Sequence, residues 1–267
     1  MSNFIKKLYN KSVLPSSIRG NDEVMSLWMG RSLSFIELMS INSYFHHGHK
    51  VIVYIYEDIE NMPKDVELRD ANEILPYNNF KRTEVYRDEK FVGLGIPENN
   101  RDTLCYSMYS DLFRYTLGYK LGGWWTDLDA ICLKHFDFDE QYVFAFLKDD
   151  NHTVAPGIFK VPPKTNLMEA CVVCCKLFMD NRINSDRTGP YLFSRTVRAN
   201  SLLNITFPHY YFYPFSFEEM GVLFDGTPLP SESYSVHIFN TRFGIKYGRD
   251  EKNDGDCMIS KLKEMYL

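Results

Sequence analysis

The chain has 267 residues, 45% hydrophobic and 24% charged, the composition of a folded globular protein rather than a disordered or fibrous one. Its 30 Lys and Arg against 35 Asp and Glu give a net charge of -5 with no basic run, which argues against nucleic-acid binding by phosphate neutralisation. Six cysteines are too few for a disulfide scaffold; Cys171, Cys174 and Cys175 share an apolar stretch at helical spacing and read as reduced core thiols, pointing to a reducing compartment. Residues 1–10 carry Lys6 and Lys7 with no apolar run behind them, and no stretch approaches about 18 apolar residues, so neither a signal peptide nor a membrane-spanning anchor is expected. In that setting the sequons at Asn151 and Asn204 carry no meaning.

No repeat or linker divides the chain, and a single domain over 1–267 is expected, with an N-terminal extension at 1–22 and a C-terminal helix in 244–267. Residues 24–29 read as a strand, and 33–44, with apolar residues at Leu33, Ile36, Leu38, Ile41 and Tyr44, as a helix. His47-Gly48-His49 turns the chain into 51–56, a β-branched and aromatic run suited to a strand buried on both faces. Strand, helix and strand at this spacing predict a βαβ crossover in a mainly parallel sheet. The polar stretch 77–102 reads as long loop with some helix, and 103–121 as one helix ended by Gly122-Gly123. Further on, a strand at 142–147, helices at 167–179 and 189–198, an aromatic-rich wall at 209–217, a strand at 234–239 and a last helix at 256–265 are expected.

The chemistry is concentrated in Ser110-Asp111-Leu112-Phe113-Arg114-Tyr115, followed by Gly122-Gly123-Trp124-Trp125-Thr126-Asp127-Leu128-Asp129. In an extended segment Asp127 and Asp129 project to one side while Leu128 turns into the core. With no neighbouring Lys or Arg in sequence, two such carboxylates suit a hard divalent cation, Mn²⁺ or Mg²⁺, that keeps positions open for phosphate oxygens. Asp111 and Arg114, three apart on a helix, share a face. Read separately, these are an ordinary ion pair and an ordinary Asp-x-Asp turn; together they are far more specific.

The combined string resembles the DXD-containing glycosyltransferases of family 32 and, more distantly, the glucosyltransferase domains of the large clostridial toxins. The two-tryptophan form is similar to a bacterial polysaccharide-synthesis branch of that family. Five further elements resemble it in the expected order: Ser26-Leu27-Trp28-Met29-Gly30, His47-Gly48-His49 followed by a strand, Asp70-Ala71-Asn72-Glu73-Ile74, Thr188-Gly189-Pro190 and His237-Ile238-Phe239-Asn240. Trp125 stands where the family usually has Tyr, and Phe239 where it has Trp.

The resemblance implies an α/β fold of the GT-A type, a mainly parallel sheet flanked by helices. It implies metal-dependent transfer of a hexose or N-acetylhexosamine, with retention, from a nucleotide sugar (UDP-linked in most relatives) to a hydroxyl of a saccharide or lipid-linked acceptor in polysaccharide or glycan synthesis. Carried over residue by residue, Trp28 would stack on the base, and Asp111 and Arg114 would hold the donor sugar and diphosphate, with Trp125 beside them. Asp127 would contact ribose, sugar or metal, Asp129 would ligate Mn²⁺ or Mg²⁺ directly, and His237 and Asn240 would complete the metal or diphosphate site. The enzyme would work in the cytoplasm, in peripheral contact with the inner face of a membrane through Lys6, Lys7 and Lys11 near Phe4, Ile5 and Leu8. The rival reading is a sugar-nucleotide or glycan-binding protein that no longer transfers. A glycosidase is disfavoured, because Asp127 and Asp129 are too close in sequence to bracket a glycosidic bond.

Other candidates carry less. His46-His47-Gly48-His49 reads as a turn rather than a metal cluster, Tyr210 to Phe215 as a buried strand and wall, and Glu218-Glu219 as a solvated face. Val92-Gly93-Leu94-Gly95-Ile96-Pro97 starts like a dinucleotide-binding glycine string and then fails, leaving a loop near the donor site. No phosphate-binding P-loop and no Gly-x-Ser-x-Gly elbow occurs.

Overall fold

The computed structural model describes residues 20–77, 101–180, 187–240 and 257–267. The expected basic N-terminal contact (Phe4 to Lys11) and the Val92 to Pro97 loop lie outside the described residues. Strand β1 (Glu23–Trp28) leads through helix α1 (Phe35–His46) to β2 (Lys50–Ile55), and the two strands pair in parallel from Glu23↔Lys50 to Trp28↔Ile55. β3 (Glu67–Asp70) adds a parallel edge on β2. Helix α2 (Arg101–Leu121) delivers β4 (Gly123–Thr126), which lies parallel to β1. β6 (Val143–Phe146) and β7 (Val154–Val161) extend the sheet antiparallel, giving the order β3-β2-β1-β4-β7-β6. A second, two-stranded sheet pairs β5 (Ala130–Cys132) with β8 (Ser235–His237).

The alternation of side chains along a strand sorts the core into two faces. Met25, Leu27, Ile52, Tyr54 and Trp125 pack on one side with α2, α3 (Asn166–Asp180) and α4 (Pro190–Ala199). Val24, Val51, Val53, Ile55 and Trp124 pack on the other with Ile41 and Tyr44 of α1 and the aromatic residues Phe136, Phe138, Phe212 and Tyr213. The last helix, α5 (Met258–Tyr266), joins α1 and the small sheet in a third cluster. Pro190 starts α4 at a position where a missing N–H costs nothing. Cys171 and Cys175 are buried free thiols, and burial pushes Cys171 up to about 12, as expected of core thiols rather than ligands. Among the described residues no helix is long and apolar enough to cross a membrane.

Two strands escaped the sequence reading. β3 is a short, polar edge, and β7 contains Pro156 and Gly157, which read as breakers but sit in an all-buried strand paired on both sides. The expected strand near Tyr210 is instead a 3-10 turn at His209–Tyr211 followed by irregular chain. Pro208 and Pro214 bracket it, and neither can donate to a ladder. The rings still form the expected wall, with Phe212, Tyr213 and Phe215 buried. His47-Gly48-His49 is a turn, with Gly48 at φ +80°, and His49 is buried as a structural group that contacts Asn21 O through Nδ1 at 3.0 Å and accepts Phe136 N–H at Nε2.

Candidate active site at the carboxyl end of β4

Gly122 and Gly123, at φ +64° and +87°, turn the end of α2 directly into β4, so the helix bearing Asp111 and Arg114 lies beside the strand that ends at Asp127. At Gly122 a Cβ would stand 2.6 Å from Pro163 N, leaving no room for another residue. Asp127 to Asp129 is not extended, as the sequence reading assumed. Ala130 N–H donates to Asp127 O at 3.1 Å, closing a tight turn between β4 and β5. The two carboxylates therefore converge through the turn and its partners rather than through strand alternation, while Leu128 is buried as expected.

The β5–β8 ladder supplies the rest. Ala130 pairs with His237, Ile238 N–H donates to Asp129 O at 2.8 Å, and Asn240 N–H donates to Asp129 Oδ2 at 2.7 Å. His237 Nε2 then lies 3.3 Å from Asp129 Oδ1 and 3.6 Å from Asp127 Oδ2. Asp127, Asp129 and His237 each offer a donor atom within 4.8 Å of the others, two hard oxygens and an imidazole nitrogen of the kind that bind Mn²⁺ or Mg²⁺. Gly157 on β7 makes room for them: a Cβ there would stand 3.1 Å from Asp127 Oδ2, His237 Nε2 and Tyr213 Oη alike. Asn240 Oδ1 is buried without a hydrogen-bond partner. The donor set, the space at Gly157 and this orphaned oxygen all fit a small hard cation.

Arg114 neutralises part of this charge, although no Lys or Arg adjoins the two aspartates in sequence. Its Nη1 donates to Asp127 Oδ2 at 3.2 Å and to Pro156 O at 3.0 Å, while Nη2 lies 3.4 Å from Asp111 Oδ1. Asp111 and Arg114 are each 7% exposed, so theirs is a buried pair and not a surface one. Trp125 is 1% exposed; its indole N–H donates to Asp127 Oδ1 at 2.9 Å and its ring lies 5.2 Å from the Arg114 guanidinium. Thr188 Oγ1 donates to Asp111 Oδ2 at 2.8 Å, which ties the Thr188-Gly189-Pro190 string to the site.

Burial pushes Asp111 up to about 6 even though Arg114 and the Thr188 hydroxyl favour its ionised form. Burial works against Asp127 too, but Arg114 and then His237 and Trp125 outweigh it and hold that carboxyl below its ordinary value. For His237, burial disfavours charge, whereas Asp129 and Asp127 favour it and raise the imidazole overall. Phe239 N–H donates to His237 Nδ1 at 3.1 Å, and Nε2 faces the two carboxylates.

Trp28 ends β1, half-buried, with an indole N–H that has no partner. Beside it, among the described residues, a cavity of about 380 Å³ opens past the carboxyl ends of β1 and β2, lined by Met29, Arg31, Tyr56, Asn72, Tyr77 and Tyr106 among others. Trp28 itself is not in that lining. Open parallel sheets bind ligands at this end of their strands.

Residues 58–145 match a family described as glycosyltransferase sugar-binding region containing DXD motif. The match covers about a third of the sequence and includes Asp111, Arg114, Trp125, Asp127 and Asp129, but not Trp28, His237 or Asn240. The α/β sheet, with its DXD turn at a strand end, agrees with the GT-A arrangement expected from the sequence. A solved structure titled PaToxG Glycosyltransferase aligns over 69% of this chain and 72% of that one, at 14% identity and a TM-score of 0.46, a likeness too loose to carry chemistry. No curated protein matches the chain.

The sequence points to neither Gly157 nor Glu37, whose carboxylate accepts from the Asn240 side chain, and to Tyr213 only as part of the aromatic stretch 210–215. Their contacts to the site are made across the sheet and carry no local motif. Thr188 had stood out only through the family string.

Proposed function

We propose that this chain is a metal-dependent glycosyltransferase that moves a hexose or N-acetylhexosamine from a nucleotide sugar, UDP-linked, to a hydroxyl of a saccharide or lipid-linked saccharide, with retention at the anomeric carbon. The observation that carries this reading is the Asp127–Asp129–His237 group within 4.8 Å, set against the buried Asp111–Arg114 pair inside the matched DXD region.

Cleaving the donor's anomeric C–O bond leaves a nucleoside diphosphate, and a bound divalent cation would neutralise the charge that develops there. Asp129 would be the direct ligand, with Asp127 and His237 beside it. Arg114, held between Asp111 and Asp127, places a fixed positive charge where a diphosphate would arrive. Asp111, buried and accepting the Thr188 hydroxyl, would hold donor sugar hydroxyls. Trp125 is buried and would act through Asp127, fixing one carboxylate oxygen so that the other meets Arg114. Trp28 and the tyrosine-lined cavity beside it would take the base by stacking. Asp127 sits beside the cation set, so its negative charge would also favour the cationic sugar during same-face departure and attack.

The test is a thermal-shift panel of UDP-, GDP- and CMP-sugars with Mn²⁺ or with EDTA, because a ligand that binds the native state raises the midpoint by mass action. A Mn²⁺-dependent rise with UDP-sugars is expected, and Asp129→Ala should abolish both the rise and donor turnover, by at least about 100-fold, with an unchanged circular dichroism spectrum. Mn²⁺-dependent donor binding with neither transfer nor hydrolysis over a broad acceptor panel would favour the non-transferring reading instead. No rise with any nucleotide would end both.

A further inference from the structure

We propose that Glu37 is a positioning residue for the cation site, one that sets the amide of Asn240 so that its Oδ1 becomes an oxygen ligand beside Asp129. This rests on the metal-site reading above. Glu37 lies in the first turn of α1 and is 1% exposed. Its Oε2 accepts Ser34 N–H at 2.6 Å in a capping box, and its Oε1 accepts from Asn240 Nδ2. The Asn240 amide thus meets this carboxyl group through its NH2 end. That contact removes the usual two-fold ambiguity of an asparagine and leaves Oδ1 at the far end of the amide.

Oδ1 is buried with no partner, in a residue that is 9% exposed and whose backbone N–H is on Asp129 Oδ2. A buried carbonyl left unpaired is costly, and an amide oxygen is a good ligand for a hard cation. Outer groups that orient metal ligands commonly matter to affinity as much as some ligands do.

Glu37→Gln tests this with almost no change of volume. The new amide can keep Ser34 N–H on its oxygen, but it then turns an NH2 toward Asn240, whose own amide must reverse and present Nδ2 where Oδ1 stood. Mn²⁺ affinity, read as free Mn²⁺ by electron paramagnetic resonance on the full chain, should fall about 10-fold in E37Q. Asn240→Ala should lose at least as much, and E37Q/N240A no more than N240A alone, because both act through one amide. The charge-conserving pair E37Q/N240D should recover most of the affinity, since the new carboxylate can accept from the glutamine and still offer an oxygen. An E37Q affinity within about twofold of the parent, independent losses in the double variant, or no recovery in E37Q/N240D would overturn the proposal. Should E37Q lose its melting transition, N240A carries the test, and parental Mn²⁺ affinity there is equally fatal. Asp129→Ala is the separate control: if it binds Mn²⁺ like the parent, the metal site itself is wrong.

Discussion

Arg114 is the residue on which the charges of the site balance. Its guanidinium touches both Asp127 and Asp111, and the indole of Trp125 lies against the guanidinium and donates to Asp127. Opposite it, Gly157 is the residue whose smallness matters most. Gly157→Ala inserts a methyl group 3.1 Å from Asp127 Oδ2, His237 Nε2 and Tyr213 Oη. We expect Mn²⁺ affinity and donor turnover each to fall at least about 10-fold while the melting midpoint moves by only a few degrees; Mn²⁺ titration and a melt on the same sample check it. At this scale the sequence was legible where residues sit close along the chain. Asp111, Arg114, Asp127 and Asp129 form one readable string, whereas His237 and Asn240 became candidates only through a family pattern. Gly157, Tyr213 and Glu37 reach the site from β7, the aromatic wall and α1, and a contact such as that of Glu37 with Asn240, 203 residues apart, leaves no periodicity to read.

Among the elements, β1, α1, β2, α2 and α4 follow their periodicity within a residue or two, because their apolar stripes are long and their ends carry clear caps or glycines. β7 did not, since its two central pairings, to β4 and β6, override the propensity of Pro156 and Gly157. The Asp127 turn was likewise hidden: a three-residue link between two short strands reads as continuous extended chain. The junction of α2 and β4 gives an element-scale prediction. Gly122→Ala forces a side chain into φ +64° and against Pro163, so it should cost about 1–3 kcal/mol in urea denaturation and displace β4, with its DXD turn, from α2. Loss of stability without loss of Mn²⁺ affinity would mean that the turn is held by β5–β8 alone.

Over the whole molecule, acid should act on a part of the sheet remote from the carboxylates. Burial, and then His135, lowers His49 from its ordinary 6.5 to about 4. Between those values the unfolded chain binds a proton at this position and the folded chain does not. The neutral ring's contribution is therefore complete above pH 6.5 and is lost as pH falls toward 4. Asp111 and His237, both raised, gain stability over the same range, so the check is a difference: from pH 7.5 to 5 the urea midpoint of the parent should change less favourably than that of a His49→Gln variant, which starts lower.

The small β5–β8 sheet has a consequence at this scale as well. It consists of three paired positions, Ala130↔His237 to Cys132↔Ser235, and it is the ladder that brings the carboxylate turn to the C-terminal segment. An ion seated between Asp129 and His237 would therefore tie together two stretches of chain more than a hundred residues apart, like a clasp closing a strap. Amide hydrogen exchange should reveal it: Ile131, Cys132, Val236 and Ile238 should exchange more slowly with Mn²⁺ than with EDTA, while the amides of β1 and β2 should not respond. The metal would then hold shut the same pocket in which it works, and a starved chain would open first along that seam.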